Sequence, residues 1–270
     1  MDKKFLAPTE AAETIMVNGK RVLTQPVTHT IILSLLAGFY IAFGAQLATV
    51  VTYDAAAHVG SGIARFLGGS VFSIGLMLVI ICGAELFTGN TLLAKTALQG
   101  EIPWSKLASN WAIVILGNFV ASILFAWMMS RSGLLSGPIA EHAVNIAARK
   151  CNLPFIEALI RGILCNWLVC LAIFMAVAAR DVPGKILACY APIMAFVTSG
   201  FEHSVANMYF IPVGIFIAPQ IGADPVGMTW PAFLFGNLLP VTIGNIIGGC
   251  LFVAGAYWFI HLRFNINRQD

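Results

Sequence analysis

Charge is what this 270-residue chain has least of: 10% of its residues are Asp, Glu, Lys or Arg, against 59% hydrophobic. Its mean hydropathy is +0.87. A water-soluble domain of this length needs far more charge on its surface, so that class is excluded. The few charges also avoid whole stretches, with none in residues 28–53 or 107–130. Runs of that length cross a hydrocarbon core of ~30 Å as helices. Other absences narrow the chemistry. No two cysteines have C-x-x-C spacing, and there is no nucleophile elbow or phosphate loop, so neither a metal site nor a catalytic centre is expected. No Asn-Pro-Ala pair occurs, which argues against a water or glycerol pore. One mid-span His rather than a pair argues against ammonium transport. A net charge of +3 is too slight to imply a nucleic-acid partner. The chain opens without an apolar h-region or a small-residue cleavage site, so no signal peptide is expected.

What is present is an all-α polytopic membrane protein. Six hydrophobic segments run at about 28–52, 62–95, 105–130, 155–179, 185–218 and 229–262. Residues 1–27 read as an amphipathic segment, with Ala11, Ala12, Ile15, Met16 and Val22 set between Glu10, Glu13, Lys20 and Arg21. That pattern suits a short helix at the membrane face, and a frayed polar tail is the alternative. The membrane-spanning body is 28–262, and 263–270 is a tail. Lys3, Lys4, Lys20, Arg21, Lys95, Lys106, Arg180, Lys185, Arg263 and Arg268 fall on one side of the membrane. Only Arg65, Arg131, Arg149 and Lys150 fall on the other. The basic excess places both termini in the cytoplasm. Five of the six cysteines lie in apolar segments and Cys151 in a polar loop; all read as small packing residues.

The two halves, about 28–131 and 155–262, share marks. Segment two carries "GAELFTGN", residues 83–90, and segment five carries "GFEHSVAN", residues 200–207; both read G-x-E-x-x-x-x-N. Segment three carries Gly117-Asn118 and segment six Gly244-Asn245. Three spans per half send the second half in from the opposite side, which makes an inverted repeat. Such proteins break one helix per half, where the freed backbone lines a cavity or is buried in protein. Gly89 is expected to permit the loop turn in the first half, with Thr88, Asn90 and Thr91 capping a new half-helix. Gly200 and Ser204 offer the same chemistry in the second. Half-helix N-termini pointing inward favour anions.

The polar residues each carry two readings. Glu85 and Glu202 are costly at membrane depth. An exposed carboxylate repels an anion, so each is expected to accept hydrogen bonds from the interrupted backbone; transport chemistry is the rival. His203 is the one His near the middle of a span: a neutral packed imidazole, or a group that binds or protonates a weak-acid anion. Phe72, Leu76, Leu86, Phe87, Phe196 and Val169 are ordinary packing or dry constrictions. Asn118, Asn166 and Asn245 join helices or donate to an anion. Lys150 and Arg149 are solvated loop charges or a cationic mouth.

These motifs resemble the formate/nitrite transporter family. "GAELFTGN" is similar to that family's second-helix loop, "GFEHSVANMYFIP" to its fifth-helix signature and "PVTIGNIIGG" to its sixth-helix motif, and the resemblance covers essentially the whole chain. It implies an aquaporin-like protomer with helices two and five broken, assembled as a homopentamer with one pore per protomer. It also implies roles by position. His203 and Thr88 face each other at the pore centre, with Asn166 and Asn245 beside them. Phe72 and Phe196 constrict the outside; Leu76, Leu86 and Phe87 constrict the inside; Val169 is a fourth-helix pore residue. Lys150 attracts anions at the outer mouth. Glu85, Glu202, Gly89, Gly200, Asn90 and Asn207 hold the breaks.

The family's branches carry formate, nitrite or hydrosulfide. Gly89-Asn90 after Thr88, and Glu85 where formate channels commonly have Asp, make this chain most similar to the hydrosulfide channels of anaerobic bacteria. The function implied is a passive channel for small weak-acid anions in a bacterial inner membrane, with no cofactor and no metal. The rivals are proton-coupled carriage and a neutral-solute path for hydrogen sulfide or water.

Overall fold

The structure, a computed structural model, describes residues 5–263. Lys3, Lys4, Arg268 and all of the expected tail beyond Arg263 lie outside the described residues. Helix α1 (Pro8–Thr24) starts with Pro at its first turn, and the Ala7 N–H donates to Glu10 Oε2 at 2.8 Å. Its Ala11, Ala12, Ile15, Gly19 and Leu23 recur on one face and are buried. They pack with Leu92, Leu93, Phe174 and Val253, so the stripe of the expected amphipathic helix rests on protein.

Helix α2 (Val27–Thr52) and a short α3 (Ala55–Val59) follow. Helices α4 (Ser61–Phe72) and α5 (Ile74–Cys82) form one span that stops at Gly83, φ 78°. After a link over 83–86 come α6 (Phe87–Asn90), a 3-10 turn (Thr91–Leu93) and α7 (Ala94–Leu98). Then α8 (Trp104–Arg131), α9 (Pro138–Cys151) and α10 (Phe155–Ala178) complete the middle. Helix α11 (Val182–Ser199) stops at Gly200, φ 77°, and α12 (Ser204–Ile217) restarts after 200–203. The last segment runs through a π-helical stretch (Ala232–Leu238), α13 (Leu239–Gly249), a second π stretch (Cys250–Gly255) and α14 (Ala256–His261).

Among the described residues, seven helices are long and apolar enough to cross a bilayer, because the fifth segment is cut into Val182–Ser199 and Ser204–Ile221. In the latter 67% of residues are buried, the largest share of the seven, so α12 is the central helix. The outward sides of the others carry exposed Ile32, Phe43, Leu116, Val120, Ile156, Leu187 and Leu251, as a lipid solvent requires.

Two expectations need correction. Gly89 does not make the turn: it lies inside α6, and Gly83 holds the positive φ. Gly89 is small for packing, since a Cβ there would sit 2.8 Å from Ile173 Cδ1. Residues 138–151, read as loop, form α9, whose Ala140, Ala143, Val144, Ala147 and Cys151 recur at helical spacing and are buried. The stretch is too short and too charged to show as a span.

Each half is drawn together internally by one close crossing, α2 on α8 in the first and α10 on α13 in the second. A Cβ at Gly38 would lie 2.6 Å from Asn118 O, and one at Gly162 2.7 Å from Val241 O. Small residues let membrane helices approach to backbone contact. We expect Gly162→Ala to destabilise the protein by roughly 1–3 kcal/mol through overpacking. Gly62→Ala, with nothing within 4 Å, should be nearly neutral. Unfolding temperatures in detergent check this; equal shifts for both would contradict it.

Candidate functional site

The breaks define the centre of the molecule, and their hydrogen bonds repeat in the two halves. The Glu85 N–H donates to Leu33 O (3.1 Å) and the Glu202 N–H to Arg161 O (3.2 Å). Just beyond, the Phe87 N–H donates to Asn118 Oδ1 and the Ser204 N–H to Asn245 Oδ1, both at 2.9 Å. Asn118 Nδ2 donates to Ser34 O (2.7 Å) and Glu85 O (3.0 Å). Asn245 Nδ2 donates to Gly162 O (2.8 Å) and Glu202 O (3.1 Å). One asparagine per half thus closes a donor and a carbonyl freed by each break and ties them to a carbonyl of the neighbouring unbroken helix, Ser34 O on α2 or Gly162 O on α10. All hydrogen-bonding hydrogens of Asn245 are engaged, so it positions the break and has none to offer an anion.

The acids do something other than expected. Their carboxylates accept from side chains, not from the interrupted backbone. Asn90 Nδ2 donates to Glu85 Oε2 and to Asn110 Oδ1. In the mirror, Asn207 Nδ2 donates to Glu202 Oε2 (2.6 Å) and Asn237 Oδ1 (2.7 Å). The symmetry fails at the remaining partner. Glu85 Oε1 accepts from neutral Gln25 (2.8 Å), whereas both oxygens of Glu202 accept from the Lys150 ammonium (3.0 and 2.9 Å). Sequence reasoning passed over Gln25, Asn110 and Asn237. A signal for the last two exists: "NWAIVILGN" and "NLLPVTIGN" share N-x-x-x-x-x-x-G-N.

His203 is the N-cap of α12, a role expected of Ser204. The Ala206 N–H donates to its Nδ1 at 3.1 Å. Nδ1 is therefore the unprotonated nitrogen, and the single proton of the neutral ring is on Nε2. Nε2 lies 2.9 Å from Thr88 Oγ1, so the ring donates to the threonine and leaves the threonine hydrogen free. The two residues expected to face each other are in direct contact. Asn166 Nδ2 lies within 3.1 Å of Thr88 O, Thr91 Oγ1 and Asn245 O, while its Oδ1 has no partner among the described residues.

A cavity of about 750 Å³ leads to this pair from the face that carries α9. Among the described residues, Arg65, Arg149, Lys150 and Arg161 line it, with Glu202 as its one carboxylate and His203 at its floor. Arg161 was missed because it sits inside segment four. His142, also on the wall, is held neutral: burial, helped by the Arg149 charge, lowers its pKa. Above His203 the Phe72 and Phe196 rings meet edge to face at 5.9 Å, and Phe196 stacks on the imidazole. Phe210, not foreseen, stacks on Phe72 and lies under the Lys150 ammonium at 5.4 Å. Toward the face carrying α1, Leu76, Leu86, Phe87 and Val169 are all at most 2% exposed.

Apolar spans in an inverted repeat, two mirrored breaks and a cavity that ends at His203 are the marks of a helical membrane transport protein. Residues 9–259 match the family model described as formate/nitrite transporter, and the chain belongs to that family. It is a transporter or channel, not an enzyme. It is 40% identical to a probable formate transporter of Methanothermobacter thermautotrophicus, covering 97% of this chain and 100% of that one. It is 38% identical to the formate channel FocA of Escherichia coli, covering 97% and 96%. Among solved structures, one titled a pentameric formate channel with formate bound superposes with TM-score 0.78 at 34% identity, over 88% of this chain and 98% of that one. One titled an FNT family ion channel gives 0.82 at 30%, over 93% and 98%.

The broken symmetry sets a prediction. Glu202→Gln leaves the part-buried Lys150 ammonium without its carboxylate and should cost roughly 3–5 kcal/mol. Glu85→Gln, among neutral amides, should cost about 1–3 kcal/mol. Paired thermal-unfolding measurements decide it, and equal losses would contradict the account.

Proposed function

We propose that the chain is a passive channel for small monovalent anions of weak acids, with one path per protomer of a homopentamer in the inner membrane of a bacterial cell, termini in the cytoplasm. The observation that carries this reading is the Thr88–His203 pair, the polar point at the floor of a cationic cavity. The excess of cations over Glu202 in that cavity raises local anion concentration. The Phe72, Phe196 and Phe210 rings shed the hydration of what enters, which disfavours large or strongly hydrated ions. The Thr88 hydroxyl then donates to the anion, with His203 Nε2–H behind it. In the contact form described here the pair touches, so an ion passes only when that hydrogen bond opens.

A step in which the anion takes a proton from His203 is more demanding. Neutral His203 cannot yield its Nε2 proton without becoming an imidazolate, and a second proton on Nδ1 would displace the Ala206 N–H. Proton-coupled carriage therefore requires the first turn of α12 to release the ring, and simple anion passage does not. The relatives' names and the formate-bound pentamer support formate as a permeant ion and the pentamer as the assembly. Hydrosulfide is proposed beside it on the strength of Glu85 and Gly89-Asn90 in the loop.

The test is a flux panel in proteoliposomes: chloride, formate, nitrite and hydrosulfide, each at two pH values. Formate and hydrosulfide should pass and carry current, and a neutral-solute path would carry none. His203→Phe should alter formate flux about tenfold or more, a barrier change of about 1.4 kcal/mol. Unchanged flux in a normally assembled variant would overturn the role of His203.

A further inference from the structure

One charged side chain takes no part in the path above. Lys95 stands on α7, on the α1 side of the Thr88–His203 pair, and it is 0% exposed. Its Nζ has no hydrogen-bond partner among the described residues. Among the described residues no carboxylate pairs with it, and the faces of Phe174 and Tyr257 lie against it, with ring centroids at 5.2 and 5.9 Å. An ammonium out of water with only two aromatic faces has lost its hydration and regained part of it. Lys150 shows the usual solution, with both oxygens of Glu202 on its nitrogen. Lys150 is therefore largely neutralised, while Lys95 is buried without a counter-ion among the described residues.

Its place connects it to the pore. Asn166, Cys170 and Phe174 recur every four residues along α10. Asn166 donates to Thr88 O, Cys170 Sγ lies 3.3 Å from Thr91 Oγ1, and Phe174 covers Lys95. One stripe of α10 thus runs from the Thr88 carbonyl to the ammonium. Helix α1 closes the site from outside: Thr96 Oγ1, beside Lys95, donates to Met16 O at 3.5 Å, and Gly19 packs against Thr96.

We propose that Lys95 is an anion-binding site on the α1 face of the protein, taking one small, weakly hydrated monovalent anion between the Thr88–His203 pair and the solvent beneath α1. Charge requires the counter-ion, and the aromatic walls and close packing restrict it to a small ion stripped of water. This rests on the anion-channel reading and extends it to the face where the sequence suggested apolar constrictions and no cationic site.

Two experiments test it. Crystals of the full-length protein soaked in bromide should show an anomalous peak in contact with Lys95 Nζ. In oriented proteoliposomes, Lys95→Met keeps the stem and removes the charge. The half-saturating formate concentration for entry from the α1 face should rise about tenfold, with entry from the opposite face unchanged. Absence of bromide at Lys95 while other sites fill would overturn the proposal. So would bromide there combined with unaltered half-saturation in Lys95→Met, the mark of an adventitious ion only. If Lys95→Met fails to assemble, the wild-type soak decides alone. Wild-type vesicles that pass no anion would instead bring down the channel reading itself.

Discussion

A helix broken inside a bilayer frees backbone donors and acceptors that no water can satisfy, and the structure is arranged around meeting that demand twice. Each group left orphaned would cost about 1–3 kcal/mol. Asn118 and Asn245 meet it from neighbouring helices, each accepting one N–H and donating to two carbonyls. Those amides reach the breaks only because α8 on α2, and α13 on α10, approach to backbone contact through glycine. The glutamates form a second ring outside the first, held by asparagines at matched positions.

Because the scaffold is symmetric, its asymmetries mark function. His203 takes the place that Leu86 holds in the other half, and both are the N-caps after the break. The cap bond from Ala206 fixes the imidazole tautomer and turns Nε2–H toward Thr88. The first helical N–H groups, expected to attract anions, are largely taken: Ser204's by Asn245 and Ala206's by His203. What is left for an anion is a hydroxyl hydrogen, not a bare helix terminus. Lysine against glutamine beside the two acids is the second asymmetry, and it puts the matched cation on the cavity side alone.

Much of this was legible in the sequence. Charge-free runs marked the spans, and the paired G-x-E-x-x-x-x-N motifs marked the breaks, because a membrane leaves so few ways to place polar residues. Thr88 and His203 were legible as a pair through the resemblance of the two motifs to the family's loop and signature. The division of labour among the polar residues was not. Which asparagine faces a backbone and which a carboxylate depends on helix rotation, and hydropathy does not record rotation. Gly89 and Gly83 stand six residues apart in one motif, and only the backbone angles tell the turn from the packing contact. Helix α9 escaped notice because it is amphipathic and short, so its buried face is diluted by Glu141, Arg149 and Lys150.

The central claim is that the break holds His203 neutral, as an Nε2–H donor to Thr88. It is tested most directly by nitrogen-15 magnetic resonance of histidine-labelled protein in lipid, with the His203 signals assigned by their loss in His203→Gln. The account expects a neutral ring at neutral pH, protonated at Nε2 and unprotonated at Nδ1. An imidazolium, or a ring carrying its proton on Nδ1, would contradict it.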